Sequence, residues 1–326
     1  MSDAASLDIP GLNGRTCETV RLETLAQKVR PHCRLVRVWL LTGGLSAQMA
    51  VIEILLPDGN TERLVVRRPG VRALAHNPHA AEDEFRILRA VRAAGAATPA
   101  ALYLSATGEV FSQPAMVLEY IEGRTEFAPS DNGAFASQMA AQLARIHSVY
   151  ASSKEMSFLP RQEQRVAHIL AQPPAVLDES LDEGRIRAAL EVAWPLPSPQ
   201  VPRLLHGDFW PGNLLWKEDQ LAAVIDWEDA EAGNPLADLA ISRLDLLWTC
   251  GAETMRECTR RYQADTAANL ADRPYWDLVA ALRPASRLAE WAAGWAELGR
   301  PDVTEKSMRV AHRWFVDEAF HALAAR

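Results

Sequence analysis

The stretch from His206 to Asn213 constrains this chain more than any other part of the sequence. It reads His-Gly-Asp-Phe-Trp-Pro-Gly-Asn, and the apolar segment that follows ends at Ile225 and Asp226. Asp208 and Asn213 are five positions apart, and Asp208 and Asp226 are eighteen positions apart. A loop that starts with Asp and ends with Asn can aim a base at a hydroxyl while the amide oxygen reaches a metal ion. A carboxylate at the end of the next strand can bind the same ion, and Mg²⁺ prefers such oxygen ligands.

This stretch resembles the signature of the aminoglycoside phosphotransferase and choline kinase-like family, in which a His-Gly-Asp loop ends in Asn and is followed by an Ile-Asp-Trp strand end. The five-residue spacing also resembles the catalytic loop of protein kinases. The resemblance implies an ATP- and Mg²⁺-dependent kinase that moves a phosphoryl group onto a hydroxyl of a small molecule. It further implies that Asp208 is the catalytic base and that Asn213 and Asp226 are Mg²⁺ ligands.

Upstream of this stretch, apolar alternation and turn residues predict five strands. They are expected at 35–41, 47–56, 63–67, 101–104 and 115–121, with turns at Gly43-Gly44 and Asp58-Gly59. One helix is predicted over 80–94, where apolar residues recur at near-helical spacing and Gly95 supplies the stop. The N-terminal part of the chain is therefore predicted to be an antiparallel sheet with one main helix.

Downstream of Gly123, helical patterns predominate. They cover 131–150, 161–171, 179–192, 235–248, 252–270, 275–298 and 303–324. Together with the resemblance, this predicts an α+β, bilobal, protein-kinase-like fold. We expect a nucleotide-binding lobe at residues 1–121 and a mostly helical catalytic and substrate lobe at 122–326.

A kinase of this type needs a cation on the third strand and a helix carboxylate that positions it. Strand alternation places Arg67 on one face with Val65, so Arg67 is the candidate cation. Glu84, near the start of the following helix, is its candidate partner, and Glu82 is the alternative. The family more commonly has Lys at this position, but the run from Arg67 to Pro69 resembles kinase domains fused to acyl-CoA dehydrogenases. The other interpretation is that Arg67 is a solvated strand residue.

Two further segments are candidates for nucleotide binding. Gly43 and Gly44, followed by Ser46, lie between two predicted strands, where the backbone of a glycine turn can approach phosphate oxygens. An ordinary hairpin is the alternative. The segment after Met116 resembles the strand and hinge between kinase lobes, which implies that the backbone of Glu119 and Ile121 binds adenine. Core packing explains the same residues equally well.

The net charge and the apolar segments of the chain limit the kinds of partner that it can bind. The formal net charge is −8, which argues against a nucleic-acid partner because such partners are held by clusters of Lys and Arg. The first fifteen residues lack the apolar stretch of a secretory signal, and no run of about 18 apolar residues predicts a membrane span. We therefore expect a cytoplasmic protein with no membrane or nucleic-acid partner. The oligomeric state is not predicted.

Several polar residues are expected to be structural. His206 is expected to brace its loop, His147 to make a structural contact, and Asp238 to anchor the loop from the start of the helix that it begins. For the acceptor site, the last helices offer aromatic and acidic residues that could bind a cationic amine, although helical spacing also fits core packing: Trp276, Glu290, Trp291, Trp295 and Glu297.

Two other functions stay open at this point. One is a nucleotide-binding pseudokinase, which the Arg at position 67 keeps plausible. The other is a metal-dependent phosphoester hydrolase with His206, Asp208 and Asp226 as metal ligands. The acceptor itself could be an aminoglycoside-like antibiotic, an amino alcohol, an amino acid or a hydroxyacyl compound.

Overall fold

The computed structural model of the protein describes residues 16–41, 47–152, 154–196 and 201–325. The chain divides into two units. Unit 1 comprises the described residues within Met1–Ala93 and Thr98–Glu122, and unit 2 comprises those within Ala94–Ala97 and Gly123–Arg326. The assignment of nucleotide binding to the first part of the chain and of catalysis to the second concerns function and stays a prediction.

Unit 1 contains five strands, which are β1 (Arg34–Leu41), β2 (Ala47–Leu55), β3 (Thr61–Pro69), β4 (Ala101–Ser105) and β5 (Ala115–Glu119). They form one antiparallel sheet in the order β1-β2-β3-β5-β4. The hairpin between β2 and β3 turns at Gly59, whose φ of +89° lies in the left-handed region that glycine adopts without strain. The predicted strands, sheet and turn at Asp58-Gly59 are all present.

Three helices accompany this sheet, which are α1 (Cys17–Val29), α2 (Val71–His76) and α3 (Ala80–Ala93). Only α3 was predicted from the sequence. Helix α1 places Leu22, Leu25 and Ala26 in a core cluster with Ile52 of β2 and Leu64 of β3. Because side chains alternate along a strand, one face of the sheet supplies these apolar residues and the helix covers them.

Unit 2 is mostly helical. Its helices are α4 (Asn132–Ile146), α5 (Gln162–Ala171), α6 (Glu183–Ala193), α7 (Leu236–Thr266), α8 (Arg273–Ala281), α9 (Leu288–Gly294) and α10 (Glu305–Ala324). Helix α4 begins at Asp131, whose carboxylate accepts hydrogen bonds from the amides of Gly133 and Ala134, both at 2.9 Å. Helices α4 and α7 pack against each other through buried apolar residues.

Four short strands frame the loop at residues 206–213. They are β6 (Arg203–Leu205), β7 (Leu214–Lys217), β8 (Gln220–Val224) and β9 (Glu231–Gly233). Strand β6 pairs with β9 and β7 pairs with β8, both antiparallel. The loop therefore leaves one two-stranded ribbon and enters another, which fixes both of its ends.

A glycine interrupts one predicted helical region in unit 2, and a proline interrupts another. Gly251 has φ +85° and ψ 175°, which breaks the helical path of α7 between the segments predicted at 235–248 and 252–270. The helix predicted as continuous over 275–298 is instead divided into α8 and α9 by residues 282–287. That part of the prediction was wrong, and the reason is Pro284, which has no N–H to continue the helix.

Candidate active site

The loop at residues 206–213 is held by a carboxylate from the first turn of α7. Oδ2 of Asp238 accepts a hydrogen bond from the backbone N–H of His206 at 2.6 Å, and Oδ1 accepts one from Gly207 at 3.0 Å. One turn further along α7, the hydroxyl of Ser242 donates to the carbonyl of Phe209 at 2.7 Å. These bonds join His206, Gly207 and Phe209 of the loop to one face of α7, as expected for Asp238.

Asp238 is itself completely buried and positioned by His147. Nε2 of His147 lies 3.2 Å from Oδ2 of Asp238, and Nδ1 lies 2.7 Å from the hydroxyl of Tyr262. Burial alone would raise the pKa of Asp238, but the hydrogen bond from His147 and the other bonds to the ionised carboxylate hold it below its usual value. Asp238 is therefore a stable anion beneath the loop.

His206 braces the loop from inside. Nδ1 of His206 accepts the backbone N–H of Asp208 at 3.3 Å, which requires the proton to be on Nε2, and Nε2 is 3.0 Å from the carbonyl oxygen of Ile225. Burial lowers the pKa of His206, so the ring is neutral. Both ring nitrogens are thus engaged with backbone atoms, in agreement with the bracing role that was expected of this residue.

Gly207 is required by the turn that presents Asp208. Its φ is +82°, and a Cβ at this position would lie 2.0 Å from the carbonyl oxygen of Asp229. Any side chain here would collide with backbone rather than with a movable side chain. The glycine therefore allows the loop to pass close to the segment after β8.

Asp208 and Asn213 are in direct contact. Nδ2 of Asn213 donates to the backbone carbonyl of Asp208 at 2.9 Å and to Oδ2 of its carboxylate at 3.1 Å. Because both donors of the amide point to Asp208, the amide oxygen of Asn213 points elsewhere. That oxygen is a hard donor of the kind that Mg²⁺ prefers.

Asp226 is tied to the same loop through its neighbour. The N–H of Ile225 donates to the carbonyl of Asn213 at 2.9 Å, and the carbonyl of Ile225 is bonded to His206. Asp226 follows directly, with φ +66° in the left-handed region and a partly exposed side chain. Asn213 and Asp226 thus offer an amide and a carboxylate from adjoining backbone, which are oxygen donors of the kind that Mg²⁺ prefers. Within the described ranges no three His, Cys, Asp or Glu side chains group as a metal site.

In unit 1, Arg67 pairs with Glu84. Nε of Arg67 donates to Oε2 of Glu84 at 2.8 Å, and the two side chains are only 7% and 10% exposed. Arg67 is not a solvated strand residue, so that interpretation was wrong. Glu82, the alternative partner, is instead bonded to Arg86 on the same helix.

The remaining nucleotide-site candidates have different outcomes. The N–H of Glu119 already donates to the carbonyl of Ala100 at 2.9 Å, so this N–H is not available to an adenine. Ile121 lies just beyond the end of β5. Gly43, Gly44 and Ser46 lie outside the described residues. The roles of all five stay predictions.

A cavity of about 400 Å³ opens beside Asp208 in unit 2. Its lining combines carboxylates, two arginines and tryptophan rings, among them Asp208, Asp229, Asp245, Arg283, Arg287, Trp210, Trp248, Trp291 and Trp295. Of the aromatic and acidic residues that the sequence offered for an acceptor, Trp291 and Trp295 line this cavity. Trp276 is buried elsewhere, and Glu290 and Glu297 are exposed.

Sequence reasoning missed Arg283 and Asp245. Nη2 of Arg283 donates to Oδ1 of Asp208, and Nη1 of Arg283 lies 3.6 Å from Oδ2 of Asp245. Burial raises the pKa of Asp245 to about 7. The positive charge of Arg283 lowers this pKa, and the negative charge of Asp208 raises it further. A signal existed for both: Asp245 interrupts an apolar helical run seven residues after Asp238, and Arg283 directly precedes the helix-breaking Pro284.

Known proteins share sequence features with this chain. The sequence profile of the phosphotransferase enzyme family matches residues 43–275. Acyl-CoA dehydrogenase family member 10 of Mus musculus is 31% identical over 198 residues, which cover 56% of this chain and 18% of that protein. The homoserine kinase of Methylobacillus flagellatus is 31% identical over 157 residues, which cover 48% of this chain and 47% of that enzyme. The chain thus spans less than a fifth of the first relative and about half of the second.

Solved structures share the fold. A macrolide 2'-phosphotransferase from Brachybacterium faecium superposes with a TM-score of 0.59 at 16% identity, covering 90% of this chain and 97% of that one. A thermostable mutant of an aminoglycoside phosphotransferase, in complex with AMP-PNP and hygromycin B, superposes with a TM-score of 0.57 at 17% identity, covering 91% and 97%. These likenesses show the fold and confirm the predicted α+β, protein-kinase-like class. Among the helices that the structure describes, none has the length and apolarity to cross a membrane.

Proposed function

The chain belongs to the phosphotransferase enzyme family, as the resemblance of its His-Gly-Asp loop predicted, and from this premise we propose that it is an ATP- and Mg²⁺-dependent small-molecule kinase. In the proposed reaction the γ-phosphoryl group of ATP passes to a hydroxyl of the acceptor. Family membership supports the class of chemistry. The reaction, the cofactors and the acceptor are our proposal, since the aligned segments cover only part of each relative.

One observation carries the proposal, which is the contact between Asp208 and Asn213 in a loop that Asp238 holds from below. Asp208 would orient the acceptor hydroxyl and accept its proton as the phosphoryl group is transferred. Asn213 and Asp226 would hold Mg²⁺, which supplies neutralisation of phosphate charge when bound. The transferring group needs little covalent help from a protein, so alignment and charge stabilisation would give most of the acceleration.

The nucleotide side of the proposal depends on unit 1. Arg67, oriented by Glu84, would hold phosphate oxygens, and a planar guanidinium can grip them through two donors where Lys offers a point charge. The carbonyl of Glu119 and the amide of Ile121 would bind adenine, and the turn with Gly43, Gly44 and Ser46 would cover the phosphates. The enzyme of the same fold that was captured with AMP-PNP supports ATP as the donor.

Substitution of the proposed base tests the function. We expect Asp208→Ala to retain Mg-ATP binding, measured by calorimetry, and to lower phosphoryl transfer by about a hundredfold or more, since a positioned base contributes on this scale. Glu228→Ala, an exposed carboxylate two residues after Asp226, is a matched control that should leave transfer close to that of the unsubstituted protein. Full turnover by Asp208→Ala would show that the base has been misassigned.

The two alternative functions predict other results. A pseudokinase would bind ATP without consuming it in the presence of any alcohol. A metallohydrolase would cleave a phosphoester without added ATP. The engagement of both His206 nitrogens with backbone atoms speaks against the hydrolase, because a metal ligand needs a free nitrogen lone pair.

A further inference from the structure

The proposed base is occupied on both of its carboxylate oxygens. Oδ2 of Asp208 accepts from Asn213, and Oδ1 accepts from Nη2 of Arg283, which comes from the interruption between α8 and α9. Each carboxylate oxygen keeps a further lone pair, but an acceptor hydroxyl that approaches Asp208 must share an oxygen with one of these partners or displace it. The more movable partner therefore influences what the cavity beside Asp208 can bind.

Asn213 is the less movable of the two. It makes a second hydrogen bond to the backbone of Asp208, its own carbonyl is held by Ile225, and the residue is 8% exposed. The Arg283 side chain is 28% exposed and borders two cavities. One is the cavity of about 400 Å³, and the other is an apolar space of about 70 Å³. Arg283 therefore has room to change position, and it is the partner that gives way.

A displaced Arg283 needs another anion, since a guanidinium withdrawn from water without a counter-charge is costly. Asp245 compensates it incompletely, because it lies 3.6 Å from Nη1 and its pKa is about 7. A second arginine, Arg287, lines the same cavity. It pairs with Glu290 at 3.3 Å, but both side chains are more than half exposed, so this ion pair is weak and an anionic ligand can replace it. The guanidinium carbons of Arg283 and Arg287 each lie 5.7 Å from the ring centroid of Trp291.

Two guanidinium groups beside one ring, at the wall of a cavity that also contains the base, form a site suited to an oxyanion. Asp208, Asp229 and Asp245 also line the cavity, so the preference for an anion applies to the part beside Trp291, where a cationic group would face the two guanidinium groups. We propose that Arg283 and Arg287 bind an anionic group of the acceptor, so that the acceptor is a small alcohol carrying a carboxylate or a phosphate. This inference rests on the proposed kinase function, and it adds the substrate class of the same site.

The arrangement couples recognition to chemistry. When the anion of the acceptor engages Arg283, Oδ1 of Asp208 becomes available to the acceptor hydroxyl. An alcohol without an anion leaves Arg283 on the base. Arg283 is thus a specificity-determining residue that acts on Asp208, while Arg287 contributes to binding alone.

A matched series of acceptors tests the inference. The compounds share a hydroxyl and three methylene groups and differ at the other end, namely 4-hydroxybutanoate, 3-hydroxypropyl phosphate, 3-amino-1-propanol and 1,3-propanediol. Transfer is followed by ADP release and by mass spectrometry of the product. We expect the two anionic compounds to exceed the amine and the diol by about tenfold or more in kcat/KM, since a charge-assisted hydrogen bond is worth at least that factor. The ranking of carboxylate against phosphate identifies the source of the anion.

Three variants separate the roles. Arg287→Gln should raise KM for the anionic compounds by about tenfold and leave KM for the diol within about twofold. Arg283→Gln should remove the preference for an anion. Arg313→Gln, an exposed arginine of α10, is the matched control and should change neither quantity.

The opposite results overturn the inference. They are a preference for the amine, equal use of all four compounds, or an Arg287→Gln effect that is the same for the diol. The inference also fails if the protein binds Mg-ATP but neither phosphorylates nor binds any of the four compounds. Binding is tested by tryptophan fluorescence at about 10 mM, because fragments of this size bind such sites in the millimolar range. Failure to bind Mg-ATP would instead overturn the proposed function.

Discussion

Nε of Arg67 donates a hydrogen bond to Oε2 of Glu84 across 2.8 Å, and neither side chain is more than 10% exposed. The pair joins β3 to α3 within unit 1. Removing one member would take this ion pair from a buried charge, which costs about 3–5 kcal/mol in comparable pairs. The same pair orients the guanidinium that we propose for the ATP phosphates, so we expect both stability and nucleotide affinity to depend on it.

We predict that Glu84→Ala lowers the free energy of unfolding by about 3 kcal/mol and raises KM for ATP, while Glu84→Gln has a smaller effect because it keeps a hydrogen-bond acceptor. Urea denaturation and ATP-dependent turnover measure the two quantities. Glu82→Ala is the control, since its partly exposed pair with Arg86 should contribute less than about 1 kcal/mol. Equal losses in the Glu84→Ala and Glu82→Ala variants would contradict the assignment of Glu84.

The close approach of Gly207 to Asp229 gives a second prediction. Gly207→Ala should lower kcat by about tenfold or more, because a Cβ would meet the Asp229 carbonyl oxygen at 2.0 Å and a shift of the loop misplaces Asp208. Gly299→Ala is the matched control in the same unit. Gly299 also has a positive φ, +79°, but nothing lies within 4 Å of its Cβ position, so only backbone strain of about 1 kcal/mol is expected. Steady-state kinetics and thermal unfolding of both variants decide whether the contact or the φ angle matters.

The anchor of the loop gives a third prediction. In Asp238→Asn, one amide NH₂ would face the donor N–H groups of His206 or Gly207, so at least one hydrogen bond is lost in a fully buried position. We expect a loss of about 2–3 kcal/mol in unfolding free energy and a fall in kcat with little change in KM for ATP. Hydrogen exchange at the amides of His206 and Gly207 would report the loosened loop directly. Unchanged exchange at these two amides would contradict the anchoring role.

Local spacing explains which contacts could be predicted from the sequence. Asp208 and Asn213 are five residues apart in one loop, so their contact follows from a short backbone path. Arg67 and Glu84 were found because strand alternation and the start of a helix each fix a direction. In both cases the relevant geometry is set within one or two elements.

Arg283 could not be found in the same way. It is 75 residues from Asp208 in the chain, and it contacts Asp208 from the break between α8 and α9. The apolar periodicity of residues 275–298 fits one continuous helix, so it did not predict this break. Pro284 was the residue that indicated the break. Helix α1 was missed for a related reason, since its amphipathic face is short and is recognised only by the sheet that it covers.

The buried carboxylate of Asp245 gives the last prediction. Its pKa is raised to about 7, chiefly by burial, while the unfolded chain has the ordinary value of about 3.9, so between these pH values the folded state holds a proton that the unfolded state has lost. Stability from this group is therefore fully present below pH 3.9 and is lost as the pH rises towards 7. We expect the free energy of unfolding of Asp245→Asn, relative to that of the unsubstituted protein, to rise by about 2 kcal/mol from pH 5 to pH 8. Urea denaturation at several pH values measures this difference. Arg283→Gln should move the loss to higher pH, because Arg283 opposes the effect of burial on Asp245. Parallel stability curves for the unsubstituted protein and Asp245→Asn would show that this carboxylate is ionised throughout.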